Sequence, residues 1–163
     1  MQAIMLDMDK RPIEGVNGKS SKNAILTILE KYGVKRLSNG KVQIEIWGTG
    51  NPRREFLWSE EMADATVFVM ERVSFSDIVA GMTGKEIRNT HVNIGTGKDI
   101  SIKEVACLVK EKVGFMGELW FNAEKPDRTM KKLTDVTKLH SLGWHHKIKI
   151  NEGIERIYCW YRK

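Results

Sequence analysis

The sequence predicts a small mixed α/β domain, and three observations carry that expectation. Apolar and polar residues alternate over Val42–Trp47, the mark of a half-buried strand. Apolar residues recur every three or four positions from Asn23 to Tyr32 and again from Ile154 to Tyr161, the mark of helices with one apolar face. Glycine turns such as Asn39-Gly40 and Gly95-Thr96-Gly97 punctuate these segments. At 163 residues, 41% hydrophobic and 29% charged, the chain is long enough for one domain with a core and too short for two large ones.

Taken in order, residues 3–5 read as a short strand and residues 10–21 as a loop carrying Pro12, Gly15, Gly18 and two serines. Ile25, Ile28, Leu29 and Tyr32 predict a helix from Asn23 that Gly33 stops. After the Asn39-Gly40 turn, Ile44 and Ile46 share one face of a strand that delivers Trp47 on the other. Ser59 is a candidate N-cap for a helix to about Arg72, with Glu60 and Glu61 in its first turn and Met62, Ala65, Thr66, Val69 and Val73 as its inner stripe. Residues 74–90 read as a loop or short insertion, and residues 91–94 as a short strand ended by Gly95-Thr96-Gly97. Ser101-Ile102-Lys103-Glu104 is a capping box opening the next helix. A strand over residues 119–121, a short helix capped by Asp135, a strand over residues 148–150 and a last helix capped by Asn151 complete the expectation.

Composition narrows the function. No apolar run approaches the roughly 20 residues of a membrane span, and acidic Asp7 and Asp9 stand where a signal peptide would be basic. Cys107 and Cys159 form no metal or redox motif, so we expect buried free thiols in a reducing, cytoplasmic setting. The net charge of +6 raises nucleic acid as a partner. However, its lysines are interleaved with glutamates, as in Lys110-Glu111-Lys112, which describes a solvated helix face; we expect nucleic acid not to be the ligand. The same charge would steer an anionic small molecule.

Three glycine motifs invite a phosphate reading and fall short of it. Gly15-Val16-Asn17-Gly18-Lys19-Ser20 ends like a P-loop, but Ile13 stands where its first glycine belongs. Gly48-Thr49-Gly50 and Gly95-Thr96-Gly97 begin GxGxxG strings whose third glycine is Arg53 or Ile100. His145-His146 lacks a third ligand at a recognisable spacing, so no metal is expected. Arg53-Arg54 is the stronger signal. A guanidinium is a planar fork suited to phosphate oxygens, and this pair follows a strand end, where open α/β sheets form clefts. The competing reading is a salt bridge to Glu55 or to a helix N-terminal acid.

The run from Trp47 to Leu57, the segment His91-Val92-Asn93-Ile94-Gly95-Thr96-Gly97, the Ser101 capping box, Lys125-Pro126-Asp127, Lys132-Leu133-Thr134-Asp135 and Leu139-His140-Ser141-Leu142-Gly143-Trp144 together resemble, in collinear order, the C-terminal portion of the GDP-L-fucose synthase family. These are extended short-chain dehydrogenases/reductases of the NAD-dependent epimerase/dehydratase superfamily. The resemblance covers residues 22–162, so we divide the chain into a poorly matching segment 1–21 and a nucleotide-sugar-binding domain 22–163. It implies the substrate-binding domain of such an enzyme without its N-terminal Rossmann domain. The family converts GDP-4-keto-6-deoxy-mannose to GDP-L-fucose by two epimerisations and an NADPH-dependent reduction.

By the same resemblance Trp47, Arg54, Asp127 and Lys31 fall at positions that contact the GDP-sugar. Arg54 would pair with phosphate, Asp127 would accept from hydroxyls, and Lys31 stands where the family carries an arginine. Asn23 replaces a family histidine, Trp58-Ser59-Glu60-Glu61 replaces an aromatic or His followed by Val-Asp-Asp, and Arg128 replaces a glycine that would allow a turn with positive φ. The family's NADP site and its Tyr-x-x-x-Lys pair have no counterpart: four residues after Tyr32 and Tyr158 stand Arg36 and Arg162. We therefore expect no catalytic residue here, no turnover by the chain alone, and a cofactor domain supplied by a separate chain if at all. Homo-oligomers through the uncovered face are also expected. The alternative function is a non-catalytic module that binds a nucleotide sugar, nucleic acid or another partner.

Overall fold

The computed structural model describes residues 8–9, 11–83 and 86–162. In chain order the named elements are α1 (Lys22–Lys31), β1 (Val34–Arg36), β2 (Val42–Trp47), β3 (Arg53–Glu55), α2 (Ser59–Arg72), α3 (Phe75–Val79), β4 (Asp99–Ser101), α4 (Ile102–Val113), β5 (Glu118–Asn122), β6 (Lys131–Lys132), α5 (Thr137–Ser141) and α6 (Ile150–Tyr161). This is a mixed α/β chain with small sheets, as the alternating periods predict. Contacts group it into two compact units, residues 1–50 with 115–126, and residues 51–114 with 127–163.

In the first unit, Ser21 opens α1 by accepting from the Ala24 N–H at 3.2 Å. The buried face of α1, Ile25 and Ile28, packs with Met8, and Ile13, Val16 and Leu29 surround this cluster. The predicted turn at Asn39-Gly40 joins β1 to β2 as an antiparallel hairpin, with Gly40 in the left-handed region at φ 81°. β5 adds to β2 in parallel, giving the order β1-β2-β5. The register sets Ile44 beside Leu119 and Ile46 beside Phe121, while Glu45 faces Trp120 and Trp47 faces Asn122. Because side chains alternate, Glu45, Trp47, Trp120 and Asn122 share one face of this sheet. The strand expected over residues 3–5 lies outside the described residues.

In the second unit, β3 is central: β4 pairs with it antiparallel and β6 in parallel. Its core is Ala65, Leu139 and Trp144, with Leu57, Phe68, Val69, Val92 and Ile94 against it. The Trp144 indole N–H donates to Asp64 Oδ2 at 2.8 Å, so the buried ring keeps its polar edge satisfied.

Several expectations need correction. Cys107 and Cys159, expected to be buried, are free and exposed. Residues 91–94 form no strand ladder; Val92 and Ile94 are half-buried against the core, and alternation reports such a buried face whether or not a partner strand exists. Residues 148–150 are likewise not a strand, because Ile150 already belongs to α6 and its N-cap is Lys149 rather than Asn151. Ser59 is the first residue of α2, with Trp58 as its cap. The inner face of α2 is Glu61 and Ala65 with Phe68 and Val69, whereas Met62 is 49% exposed and Thr66 faces solvent. The stripe shifts because Glu61 turns inward, its Oε1 accepting from the Ile148 N–H at 2.9 Å and from the Lys147 N–H. The presumed loop 74–90 contains α3, opened by a capping box between Ser74 and Asp77. Ser74-Phe75-Ser76-Asp77 is a legible signature of that box.

Candidate functional site

Of the residues the sequence singled out, Lys31 ends α1, Trp47 ends β2, Arg54 lies on β3 and Asp127 follows β5. Lys31 and Trp47 belong to the first unit, Arg54 and Asp127 to the second.

Trp47 closes β2 and is 73% exposed, which is unusual for the largest apolar side chain and presents ring surface on which a flat ligand could stack. The Lys125 ammonium stands 5.3 Å from its ring centroid, within cation–π range. Beside it on the same sheet face lies a polar pair that the sequence did not flag. The Asn122 side-chain N–H donates to Glu45 Oε1 at 2.6 Å, and Asn122 is buried at 6% exposure. Lys31 is engaged elsewhere. Its ammonium sits 2.6 Å from Glu14, which also accepts from the Tyr32 hydroxyl at 2.7 Å, and the hydrogen bond to Glu14 raises the lysine pKa above its ordinary value.

The two arginines have different duties. Arg53 is bound into the sheet: its Nε donates to Asp99 Oδ1 at 2.7 Å and its Nη2 to the Asp99 carbonyl at 3.1 Å, with Glu104 3.5 Å away. This guanidinium, with Lys131 behind it, holds the Asp99 carboxyl below its usual range. Arg54, on the opposite face of β3, donates through Nη1 to its neighbour's carbonyl at 2.7 Å. The competing reading, a salt bridge to Glu55 or to a helix N-terminal acid, holds in part: Arg53 reaches Glu104 in the first turn of α4, while Glu55 serves another purpose.

Glu55 Oε1 accepts from the backbone N–H of Thr96 at 2.5 Å and of Gly97 at 2.6 Å, and Oε2 from that of Thr134 at 3.0 Å. Burial pushes this carboxyl up, but hydrogen bonds from Thr134, Gly97 and Thr96 outweigh it and leave the pKa below the ordinary glutamate value. The turn Gly95-Thr96-Gly97 is therefore filled by an internal carboxylate. A Cβ at Gly95 would meet Glu55 Oε1 at 2.6 Å, so only glycine allows this approach. The amides a dinucleotide's pyrophosphate would use at such a turn are already satisfied.

Asp127 is half-buried where the chain enters the second unit. Arg128 next to it shows no left-handed backbone; among the described residues the non-glycine positions with positive φ are Glu14 and Asn89. Replacing the family's glycine there carries no strain. His145 stacks on His140 with ring centroids 4.2 Å apart, while His146 is half-buried.

Comparison with known proteins points in one direction. The model of the NAD dependent epimerase/dehydratase family matches residues 15–95. The chain is 46% identical to GDP-L-fucose synthase 1 of Arabidopsis thaliana over 77% of its own length and 35% of that protein's. Among solved structures, a GDP-6-OMe-4-keto-L-xylo-heptose reductase from C. jejuni is 44% identical with a TM-score of 0.76, covering 88% of this chain and 39% of that one. A GDP-mannoheptose C4 reductase from Campylobacter jejuni, solved with NADP bound, matches 100% of this chain and 41% of its own length at 39% identity and a TM-score of 0.76. The chain thus spans well under half the length of the relatives it matches. With these matches and with its mixed α/β fold, the chain belongs to the NAD dependent epimerase/dehydratase family, as a counterpart of the C-terminal part of its GDP-sugar enzymes.

Proposed function

We propose that this chain is the nucleotide-sugar-holding part of a GDP-L-fucose synthase-like epimerase/reductase, and that by itself it binds a GDP-sugar without turning it over. The observation that carries the reading is the division of labour at β3. Arg53 is neutralised by Asp99 and Glu55 is occupied by backbone amides. That leaves Arg54, beside both, as the guanidinium available to a diphosphate. Within the first unit, and taken by itself, Trp47 offers a flat exposed ring on which an aromatic base can stack. The net charge of +6 favours capture of an anionic ligand.

The residues described here do not fit a nicotinamide dinucleotide. The Gly95-Thr96-Gly97 turn is filled by Glu55, and the Gly48-Thr49-Gly50 turn leads into Asn51, Pro52 and β3 rather than into a helix N-terminus. No step involving that cofactor is assigned to this chain. A cofactor-binding region, in the same polypeptide or in another, would complete the chemistry.

Calorimetry with GDP and GDP-L-fucose tests the reading. Binding to the purified chain should weaken roughly 10- to 100-fold in Arg54→Ala, the size of one charge-assisted contact. The circular dichroism spectrum should stay unchanged. Flat traces for both ligands would overturn the proposal. NADPH oxidation by the 163-residue chain with GDP-4-keto-6-deoxy-mannose would overturn its non-catalytic half.

A further inference from the structure

We propose that the Glu45 carboxylate, held beside Trp47 by Asn122, selects guanine over the other bases; this rests on the nucleotide-sugar reading above. The sheet register carries the argument. Asn122 is the cross-strand partner of Trp47, and Glu45 lies two residues before Trp47 on the same face. The Asn122 side-chain amide is fixed at both ends: its N–H donates to Glu45 Oε1 at 2.6 Å, and its Oδ1 accepts from the Glu124 N–H at 3.1 Å. That clamp holds the Glu45 carboxylate against the residue opposite Trp47, so an acceptor-only group lies on the sheet face that carries the ring.

An acceptor there discriminates. Guanine is the common base whose pairing edge carries two adjacent donors, N1–H and the N2 amine, and a carboxylate can accept from both. Adenine presents the N1 lone pair at the same place, and uracil flanks its single N–H with two carbonyl oxygens, so each would set lone pairs against the carboxylate. A site built to accept hydrogen bonds rejects analogues that cannot supply them, because its polar groups would be left unpaired. Stacking on Trp47 tolerates every base and cannot provide this selection by itself. Lys125, 5.3 Å from the Trp47 ring, is a cation beside the platform and is equally indifferent to base identity.

The test is calorimetric titration of the full 163-residue chain with GDP, inosine diphosphate, ADP and UDP. Inosine diphosphate is the informative analogue, since it differs from GDP only by loss of the N2 amine. GDP should bind about tenfold tighter than inosine diphosphate, with ADP and UDP weaker still. In Glu45→Gln the side chain can still accept from Asn122, so the clamp and the fold persist. GDP affinity should nevertheless fall about tenfold, and the preference for GDP over inosine diphosphate should disappear. Equal affinities for the four nucleotides in the unaltered chain would overturn the proposal. So would a Glu45→Gln variant that weakens all four alike, which is the signature of a purely structural clamp. If Arg54→Ala abolishes binding while base discrimination is absent, the nucleotide-sugar reading stands and the role of Glu45 falls. If no nucleotide binds the unaltered chain, both fall together.

Discussion

Three adjacent charged residues on β3, two arginines and a glutamate, have three different fates in the fold. Arg53 is tied to Asp99, Glu55 is tied to backbone amides of the 96–97 turn and Thr134, and Arg54 donates to the carbonyl of Arg53. The local pattern nominates Arg53-Arg54 together, and only the family resemblance singles out Arg54, since the partners that separate them in the fold lie far along the chain. The Glu55 arrangement makes a prediction with a definite sign. Its folded pKa lies below the ordinary value, so the protein is stabilised by the ionised form. That stabilisation is fully present above the usual glutamate pKa near 4.5 and is lost as pH falls through the lower folded value. Chemical denaturation from pH 7 down to pH 3 should therefore show the advantage of the unaltered chain over Glu55→Gln shrinking toward the acid end. An advantage that grows on acidification would contradict the assignment. Glu55→Ala, which strands the amides, should cost about 1–3 kcal/mol at neutral pH.

At the scale of elements, what could be read in advance was whatever is encoded locally. The Ser101-Glu104 capping box formed as expected: Ser101 Oγ accepts from the Glu104 N–H at 3.1 Å, and Glu104 Oε2 accepts from the Ser101 N–H at 2.8 Å. Removing it as Ser101→Ala should lower stability by about 1 kcal/mol, visible as a reduced melting temperature, and should leave GDP binding intact. The alternation that marked β2 was equally reliable, and the partner strand Glu118–Asn122 was found almost to the residue. The short strands β1, β3, β4 and β6 were missed, because two or three residues carry no periodicity and exist as strands only through pairing. The turn at Gly95-Thr96-Gly97 was seen, but its reason for existing was not. Gly97 has φ 68° and a Cβ there would lie 2.7 Å from Val136, so Gly97→Ala should destabilise the chain even though no ligand touches it. Trp47 and Arg54 were legible as candidates from the residues around them. The Glu45–Asn122 clamp was not, since Glu45 reads as the solvent face of a strand until the parallel register with β5 brings Asn122 to it.

For the whole molecule, burial is divided rather than concentrated. One unit is centred on Met8, Ile25 and Ile28 and the other on Ala65, Leu139 and Trp144, and each is a small cluster for the length of chain it must order. Meanwhile α2 directs large apolar groups to solvent, with Met62 49%, Val67 50% and Met70 79% exposed. Its buried side is already fixed by Glu61 and Ala65, so turning the helix to hide these groups would strand Glu61, whose carboxylate holds the Lys147 and Ile148 amides. An apolar stripe that cannot be withdrawn is relieved by contact with another surface. The isolated chain should therefore self-associate in sedimentation velocity runs, in a concentration-dependent way. The double variant Val67→Lys with Met70→Glu should shift it toward the monomer while keeping its helix content and GDP affinity, because neither residue lies on the sheets that carry Trp47 and Arg54. A chain that stays monomeric at every attainable concentration would show that α2 needs no cover. Association unchanged in the double variant would move the contact to another face.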